Sequence, residues 1–298
     1  MLKEYSLLDF QRRFNTEENC LQSIFEARWP RGFICPHCGH NDGYRHSKRR
    51  AIQCVSCRRQ TSITAGTLFH KSKVPLVNWF WLIFLMSQDK RGISTKRAAE
   101  LLNMHYATVW FLMHKIREAM ANRLEGLTLS GYVEIDEAFF GGKATGERGP
   151  TAGGKKRVCV MVERLKLGAG DASLQVLPDG NAESYQNSVE TRLEPMTHVR
   201  TDGLPKNSVL HGRVGKLNMK AIPVKEGDGP LKNADRVTSL VKRQLLGTYH
   251  QYCSGTHLQR FLNEYCYRFN RRYRWYQLAS RLILACALAA PVQYAAIS

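Results

Sequence analysis

The fold is decided by the stretch Tyr132-Val-Glu-Ile-Asp-Glu-Ala-Phe-Phe140, which runs directly into Gly141-Gly142. Its apolar and aromatic residues are typical of a β-strand, and the glycine pair ends it. Because strand side chains alternate between two faces, Glu134 and Asp136 lie on the same face. A carboxylate on a buried strand is costly unless it has a partner. A divalent metal would best offset that cost, and the alternative is a solvent-facing strand with ordinary acidic residues.

The composition indicates a polyanionic partner. The chain has 44 Lys and Arg residues against 25 Asp and Glu, for a net charge of +19 and a pI near 9.7. These basic residues are spread through structured segments with no polybasic tail, which favours nucleic acid over a membrane surface. The longest uncharged run, residues 282–298, is too short to span a membrane and contains Pro291. The N-terminus lacks the pattern of a signal peptide.

The cysteines predict a structural metal site. Two CxxC pairs, Cys35 with Cys38 and Cys54 with Cys57, are separated by 15 residues. This spacing fits a zinc ribbon, in which each pair forms a knuckle that supplies two corners of a tetrahedron. Four thiolates close the zinc shell and leave no position for water, so the zinc is structural. The chain has nine cysteines, and the use of four of them in such a site also indicates a reducing compartment.

Two further features predict DNA contacts. The ribbon carries a dense basic set, from which we expect Arg45, Arg49 and Arg58 to contact phosphates; the alternative is a merely solvated face. Ser94 is a good N-cap for a helix, and a turn near residues 103–106 leads to a second helix. This is a helix-turn-helix pattern, although an ordinary helical pair would give a similar one. Its second helix presents outward Arg117 and the expected DNA contacts Tyr106, Thr108 and Lys115, and Thr95 opens the first helix as a further expected contact.

The second half of the chain predicts a mixed sheet. Strands are expected at residues 157–165, at 172–177 and before Asp202-Gly203, with a helix ahead of the last strand. Residues 233–246 are expected to form a further helix, and the alanine-rich tail from Ala279 a buried one. This order suits a layered α/β domain in which two carboxylates reach one edge of the sheet and bind a pair of Mg²⁺ ions. Such a site would carry out phosphoryl transfer on DNA.

Together these motifs resemble the zinc-ribbon DDE-type transposases of bacterial insertion sequences. The resemblance is carried by the CxxC pairs, by Val133-Glu-Ile-Asp-Glu-Ala-Phe-Phe-Gly-Gly142, by Thr201-Asp-Gly203, by Lys242-Arg-Gln-Leu-Leu-Gly-Thr-Tyr-His250 and by Phe269-Asn-Arg-Arg272. It covers nearly the whole chain and implies an RNase H-like catalytic domain. It also implies Mg²⁺- or Mn²⁺-dependent cutting at element ends, followed by attack of the freed 3′-hydroxyl on target DNA.

The resemblance also implies the catalytic residues. Asp136 and Asp202 match the first two metal-binding aspartates of the family, and Lys242 matches a lysine that follows the third catalytic position. The family carries Glu, Asn or His at that third position, two helical turns before the lysine, whereas this chain has Asp235. On a helix, Asp235 shares a face with Lys242. We therefore expect Asp235 to be the third magnesium ligand, although its side chain is one methylene shorter than glutamate.

The predicted architecture is multidomain, combining α+β and α/β parts. We expect a helical lead-in at 1–30, the zinc ribbon at 31–66, the helix-turn-helix at 67–127 and the RNase H-like mixed-sheet domain at 128–298. The partner is double-stranded DNA, at the element ends and at the target, without a membrane role. We expect a homo-oligomer on DNA, located in the bacterial cytoplasm at the nucleoid. Two alternatives remain: a catalytically defective end-binding protein or repressor, and a structure-specific nuclease without strand transfer.

Overall fold

The computed structural model describes residues 5–46, 50–141, 155–179, 181–201, 220–223, 231–249 and 256–297. Contacts divide the chain into two compact units, Met1–Asn122 with Tyr273–Ser298 and Arg123–Arg272. Residues 273–297 therefore belong to the same unit as the N-terminal part of the chain. The predicted functional division into four domains stays a prediction.

The first unit begins with two helices and a small sheet. Helix α1 starts at a capping box, in which Ser6 accepts from the backbone N–H of Asp9 and the Asp9 carboxylate bonds back to Ser6. The strands pair in the order β1-β2-β3, all antiparallel. The first CxxC segment precedes β1, and the second begins with the last residue of β2. The elements are α1 Leu7–Arg13, α2 Glu17–Arg28, β1 Gly43–His46, β2 Ala51–Cys54 and β3 Gln60–Ser62.

Four further α-helices belong to this unit: α3 Leu76–Gln88, α4 Thr95–Leu102, α5 Tyr106–Asn122 and, from the end of the chain, α9 Leu278–Leu288. The apolar stretch around Trp79 is a core helix, as predicted. Helix α9 is buried as predicted and contacts α2, α3 and α5. The backbone N–H of Leu68 donates to the carbonyl of Cys286 at 3.1 Å, which ties α9 to the segment before α3.

Helices α4 and α5 form the pair expected from the sequence. Ser94 caps α4 by accepting from the backbone N–H of Arg97 at 3.2 Å, and Asn103 ends the helix in the left-handed conformation. The apolar residues of α5, including Val109 and Ile116, face the core. The expectation that Arg117 points outward was wrong, because this side chain is 1% exposed. Arg117 lies one position from Ile116, so the 3.6-residue period carries it to the edge of the buried stripe.

The second unit contains a five-stranded mixed sheet in the order β6-β5-β4-β7-β8. The central strand β4 pairs antiparallel with β5 and parallel with β7, β6 is antiparallel to β5, and β8 is parallel to β7. This is the strand order and direction of RNase H-like domains. Its elements are β4 Tyr132–Phe140, β5 Lys156–Leu165, β6 Gly168–Val176, α6 Ala182–Glu190, β7 His198–Thr201, β8 Lys220–Pro223, α7 Lys232–Tyr249 and α8 Leu258–Phe269.

The two faces of the sheet differ in chemistry. On one face, Val133 and Ile135 pack with Tyr185 and Val189 of α6 in an apolar core. On the other face, α7 packs against β4 and β5, and α8 packs against β6. Strand alternation places Glu134 and Asp136 on the face that does not belong to the α6 core, as predicted. The catalytic candidates of β4 therefore lie on the face that carries α7.

Side-chain amides from α8 and the residue after it bond to the backbone of β6. Asn270 accepts from the backbone N–H of Ala172 at 2.8 Å and donates to its carbonyl at 3.0 Å. Gln259 accepts from Val176 at 2.7 Å and donates to the carbonyl of Leu174 at 2.9 Å. Each amide thus replaces the peptide group of a neighbouring strand, which blocks pairing with another chain at this edge.

We expect Asn270→Ala to destabilise the second unit by about 1–3 kcal/mol, because two backbone groups of β6 lose their partners. Hydrogen exchange of the peptide that covers β6 and the denaturation midpoint of the protein would measure the effect. Asn187→Ala removes the same side chain from an exposed position on α6 and is the matched control. Equal exchange rates in both variants would contradict the edge-covering role.

Candidate functional site

The four predicted zinc ligands come together in the first unit. The Sγ atoms of Cys35, Cys38, Cys54 and Cys57 all lie within 4.8 Å of one another. Two of the separations, Cys35 to Cys57 and Cys38 to Cys54, are 3.6 Å. Zn–S bonds of about 2.3 Å place the sulfurs of a tetrahedral site about 3.8 Å apart. The four thiols therefore fit a single zinc ion with a closed shell.

The two knuckles have the same backbone geometry. In each, the residue after the second cysteine is left-handed, Gly39 at φ 74° and Arg58 at φ 59°. Their backbone N–H groups donate to the carbonyls of Cys35 and Cys54 at 2.9 and 3.1 Å. Glycine adopts this conformation freely, whereas it is strained for arginine. Arg58 is exposed, so its side chain is not retained there by packing.

The thiols of the cluster shift one another's pKa values in opposite directions. Burial acts to raise the pKa of the Cys35 thiol, but backbone N–H groups of His37 and Cys38 and the neighbouring thiols lower it to about 7. The Arg59 backbone N–H acts to lower the pKa of Cys57, but burial and the three other thiols raise it to about 11. Crowded thiols thus resist joint ionisation, and a divalent cation is the group that would hold all four as thiolates.

On the sheet face of the second unit, Asp136 is half-buried and Glu134 is 2% exposed. Both carboxylate oxygens of Glu134 accept hydrogen bonds from the start of α7. Oε2 accepts from the backbone N–H groups of Asn233 at 2.7 Å and Ala234 at 3.1 Å, and Oε1 accepts from the Asn233 side chain at 3.0 Å. The partner that the buried strand carboxylate requires is therefore, for Glu134, a helix N-terminus.

Two of the other predicted catalytic residues, Asp235 and Lys242, lie on α7, which packs on this face. Thr201, the last residue of β7, pairs with Ile135 in the parallel register, and Asp202, the next residue along the chain, lies outside the described residues. Asp235 is exposed in the first turn of α7. The Lys242 ammonium lies 5.6 Å from the ring centroid of Phe140, at the far end of β4.

Helix α7 therefore runs beside β4 in the same direction. Its start is bonded to Glu134, and Lys242 lies near Phe140, so the two contacts follow the same order along both elements. Asp235 follows the Glu134 contact on the helix by one residue, and Asp136 follows it on the strand by two. The candidate acids of strand and helix thus share one end of the α7–β4 pair. Carboxylate oxygens are the ligands that Mg²⁺ prefers, so the donor chemistry fits a magnesium site.

The predicted DNA contacts have different environments. The Arg45 guanidinium bonds to Glu18 at 2.8 Å and to Gln22 at 2.7 Å, both on α2, so it is held within the first unit. Tyr106 is 54% exposed, and the Lys115 ammonium lies over the Phe111 ring at 4.8 Å with its pKa lowered by burial. Thr95 and Thr108 are half-buried, and Arg49 lies outside the described residues.

Sequence reasoning missed three structural roles. It did not predict that Glu134 bonds to the start of α7. Nor did it predict that Asn270 and Arg272 of the Phe269–Arg272 motif bond to the backbone of β6. Arg272 donates to the carbonyls of Gly170 and Ala169. One available signal was Leu231, which stands at the N-cap of α7 and cannot accept a hydrogen bond through its side chain. A helix start of this kind requires an acceptor from elsewhere.

Comparison with known proteins identifies both parts. The transposase zinc-ribbon domain matches residues 15–60, and the ISXO2-like transposase domain matches residues 128–270. The chain thus combines a transposase zinc-ribbon domain with an ISXO2-like transposase domain. It belongs to the zinc-ribbon, ISXO2-like family of insertion-sequence transposases, which confirms the resemblance read from the sequence.

Individual relatives are distant. Over 132 residues the chain is 27% identical to an uncharacterized protein in the transposable element ISH50 of Halobacterium salinarum, a match that covers 43% of each protein. Among solved structures it is similar to a pre-cleavage Mos1 transpososome, at 14% identity and a TM-score of 0.29 over 68% of this chain and 76% of that one. It is also similar to a simian T-cell lymphotropic virus intasome, at 14% identity and a TM-score of 0.33 over 64% and 65%.

Within the described ranges, every helix is too short or too polar to cross a bilayer.

We expect one zinc ion per chain, measured by atomic absorption, and we expect Cys54→Ser to lose it because a tetrahedral site then lacks one thiolate. Chelation should expose the ribbon to limited proteolysis while the second unit stays resistant, since metal binding and folding of a ribbon are coupled. Cys20→Ser alters a buried cysteine of α2 outside the cluster and should retain the metal. A wild-type chain without zinc would contradict the assignment.

Proposed function

We propose that this chain binds the ends of its insertion sequence and catalyses Mg²⁺- or Mn²⁺-dependent DNA cleavage and strand transfer. The observation that carries the proposal is the position of α7 along the Asp136 face of β4, with its first turn bonded to the strand. This arrangement supports Asp136 and Asp235 as ligands of one metal site. The family membership of the chain supports the same reaction class.

Asp202 is the proposed second ligand. Its neighbour Thr201 pairs with Ile135, the residue before Asp136, in adjacent parallel strands. Because Asp202 is bonded to Thr201 and Asp136 is bonded to Ile135, the register supports a pairing of the two aspartates at one edge of the sheet. Such an edge, at the carboxyl end of a parallel strand pair, is where open α/β sheets hold their ligands.

The reaction is an in-line displacement at phosphorus. In cleavage, water attacks the phosphodiester at the element end and the 3′-oxygen leaves with a proton as a 3′-hydroxyl. In strand transfer, that hydroxyl attacks a target phosphodiester and displaces another 3′-oxygen. The bound metal ions would activate the attacking oxygen and stabilise the leaving one. Asp136, Asp202 and Asp235 would hold the site, and the Lys242 ammonium, at the far end of the α7–β4 pair, would neutralise a DNA phosphate.

We assign DNA binding to the first unit. The α4–α5 pair, with its Ser94 cap and left-handed Asn103 turn, supports a helix-turn-helix with Tyr106 and Lys115 on the second helix. Arg58 supports a phosphate contact from the ribbon, because an arginine in a strained conformation with an exposed side chain suggests a role outside packing. The protein would act on DNA of the nucleoid, as a homo-oligomer that holds two element ends.

A second candidate function is an end-binding repressor without catalysis. The observation that favours it is Asp235, since the resemblance implies Glu, Asn or His at this position and aspartate is one methylene shorter than glutamate. The two functions differ in one measurement, the appearance of cut DNA.

We expect the wild-type chain to nick a labelled element end in Mg²⁺, and we expect Asp136→Ala, Asp202→Ala and Asp235→Ala to lower the rate about 100- to 1000-fold, the several kcal/mol that bound metal supplies. Glu183→Ala removes an exposed acid from α6, on the opposite face of the sheet, and should cut normally. Tight end binding without any cutting by the wild type would establish the repressor in place of the enzyme. Normal cutting by Asp235→Ala would remove that residue from the site.

We expect Arg58→Gly to keep its zinc, since glycine suits the left-handed position, while its affinity for duplex DNA falls about 3- to 10-fold and the salt dependence of binding decreases by about one phosphate contact. Arg45→Ala is the matched comparison, because Arg45 is already paired with Glu18. Fluorescence anisotropy over a salt series would measure the affinity for DNA and its salt slope for both variants. An unchanged salt slope for Arg58→Gly would show that the strained arginine does not contact phosphate.

A further inference from the structure

Among the described residues, the start of α7 finds its side-chain acceptor on a distant strand. Leu231 stands at the N-cap, and a leucine side chain cannot accept from the free N–H groups of the first turn. Two of those groups, at Asn233 and Ala234, bond instead to one oxygen of Glu134. The acceptor lies 99 residues earlier in the chain, on the strand that carries Asp136. The contact with Glu134 therefore caps the helix in place of a local side chain.

The charge of Glu134 adds to this contact. The N-terminus of a helix carries a partial positive charge, so a carboxylate is a better acceptor there than a neutral group. Glu134 is 2% exposed, and it would be costly to bury without these donors. The helix thus supplies hydrogen-bond donors to the buried Glu134 carboxylate, and the carboxylate supplies an acceptor to the N–H groups at the start of α7. Loss of the carboxylate would release the first turn of α7, which holds Asp235.

We propose that Glu134 is a positioning residue of the metal site: it fixes the first turn of α7 against β4 and so holds Asp235 beside Asp136. The inference rests on the proposed function, in which those two aspartates bind metal. Glu134 acts through the helix and is not itself a ligand, because its two oxygens already accept three hydrogen bonds from α7. Glu134 and Asp136 are two residues apart on the same face of β4. One strand would therefore carry both the metal ligand Asp136 and the residue that fixes the helix of Asp235.

The sharpest test compares Glu134→Ala with Glu134→Gln. Glutamine keeps an acceptor oxygen for the helix N–H groups but is a poor metal ligand, whereas alanine removes the acceptor altogether. Positioning predicts that Glu134→Ala weakens Mn²⁺ binding about 10- to 100-fold, as loss of an outer partner of metal ligands does, and that Glu134→Gln recovers most of it. A direct ligand role predicts that both variants lose the metal equally. Mn²⁺ affinity is measured by calorimetry without DNA, which gives a readout that does not depend on nicking.

Hydrogen exchange of α7 supplies the second readout. We expect Glu134→Ala to lose protection in the peptide that begins at residue 232, whereas Asp136→Ala loses Mn²⁺ binding with α7 protection retained. Glu163→Ala is the matched control, since Glu163 of β5 also accepts two backbone hydrogen bonds, from Ser130 and Asp171, but does not cap α7. It should change neither measurement. High Mn²⁺ should restore nicking by Glu134→Ala and not by Asp136→Ala.

Two results would overturn the proposal. One is equal loss of Mn²⁺ in Glu134→Gln and Glu134→Ala with α7 protection intact, which would make Glu134 a ligand. The other is unchanged Mn²⁺ affinity in Glu134→Ala. Failure of the proposed function would give a different result: neither the wild-type chain nor Asp136→Ala would bind Mn²⁺. That result would remove the positioning role together with the site, and only the structural cap would remain in the exchange data.

Discussion

The carboxylate of Glu134 and the first turn of α7 are each incomplete without the other. A buried carboxylate needs donors, and a helix that starts after a leucine needs an acceptor. Their contact sets where α7 begins along β4, and the position of Lys242 near Phe140 follows from that start and from the rise of the helix. In the proposed metal site, this contact would bring Asp235 of a distant segment beside Asp136 of the central strand.

The same solution, a side chain that completes the backbone of another element, recurs through the protein. Asn270 and Gln259 bond to the β6 backbone from α8 and the residue that follows it. In the first unit, Arg28 of α2 donates to the carbonyls of Ser62, the last residue of β3, and Ile63, the next residue, at 3.0 and 2.6 Å. The strands of the ribbon are only three or four residues long, too short to bury a sufficient core. The zinc site and these contacts from α2 stabilise the ribbon where apolar packing is limited.

Local patterns in the sequence predicted the elements well, and the pairing of distant residues poorly. The β4 stretch, the two CxxC knuckles, the Ser94 cap and the buried α9 helix all depend on spacings within a few residues, and each was confirmed. Period and propensity, however, do not say which distant group a polar side chain meets. For that reason the sequence did not reveal the Glu134 contact with α7 or the pairing of Arg45 with Glu18. Burial of Arg117 was missed for a related reason, since an arginine at the edge of an apolar stripe can point either way.

The shorter acid at position 235 is best understood together with the residues beside it. Ala234 is fully buried, and the next buried positions of α7, Val237 and Thr238, are also small. Small side chains at a contact let a helix approach its neighbour closely, since interaxial distance depends on the residues between the elements. A close approach of α7 to β4 would offset the methylene that aspartate lacks relative to glutamate. The Glu134 contact acts in the same direction, because hydrogen bonds of 2.7–3.1 Å to two successive backbone groups fix the first turn at the strand. Asp235 thus extends from a helix that is held at short range, and its reach is set by the position of the backbone as much as by the length of its side chain.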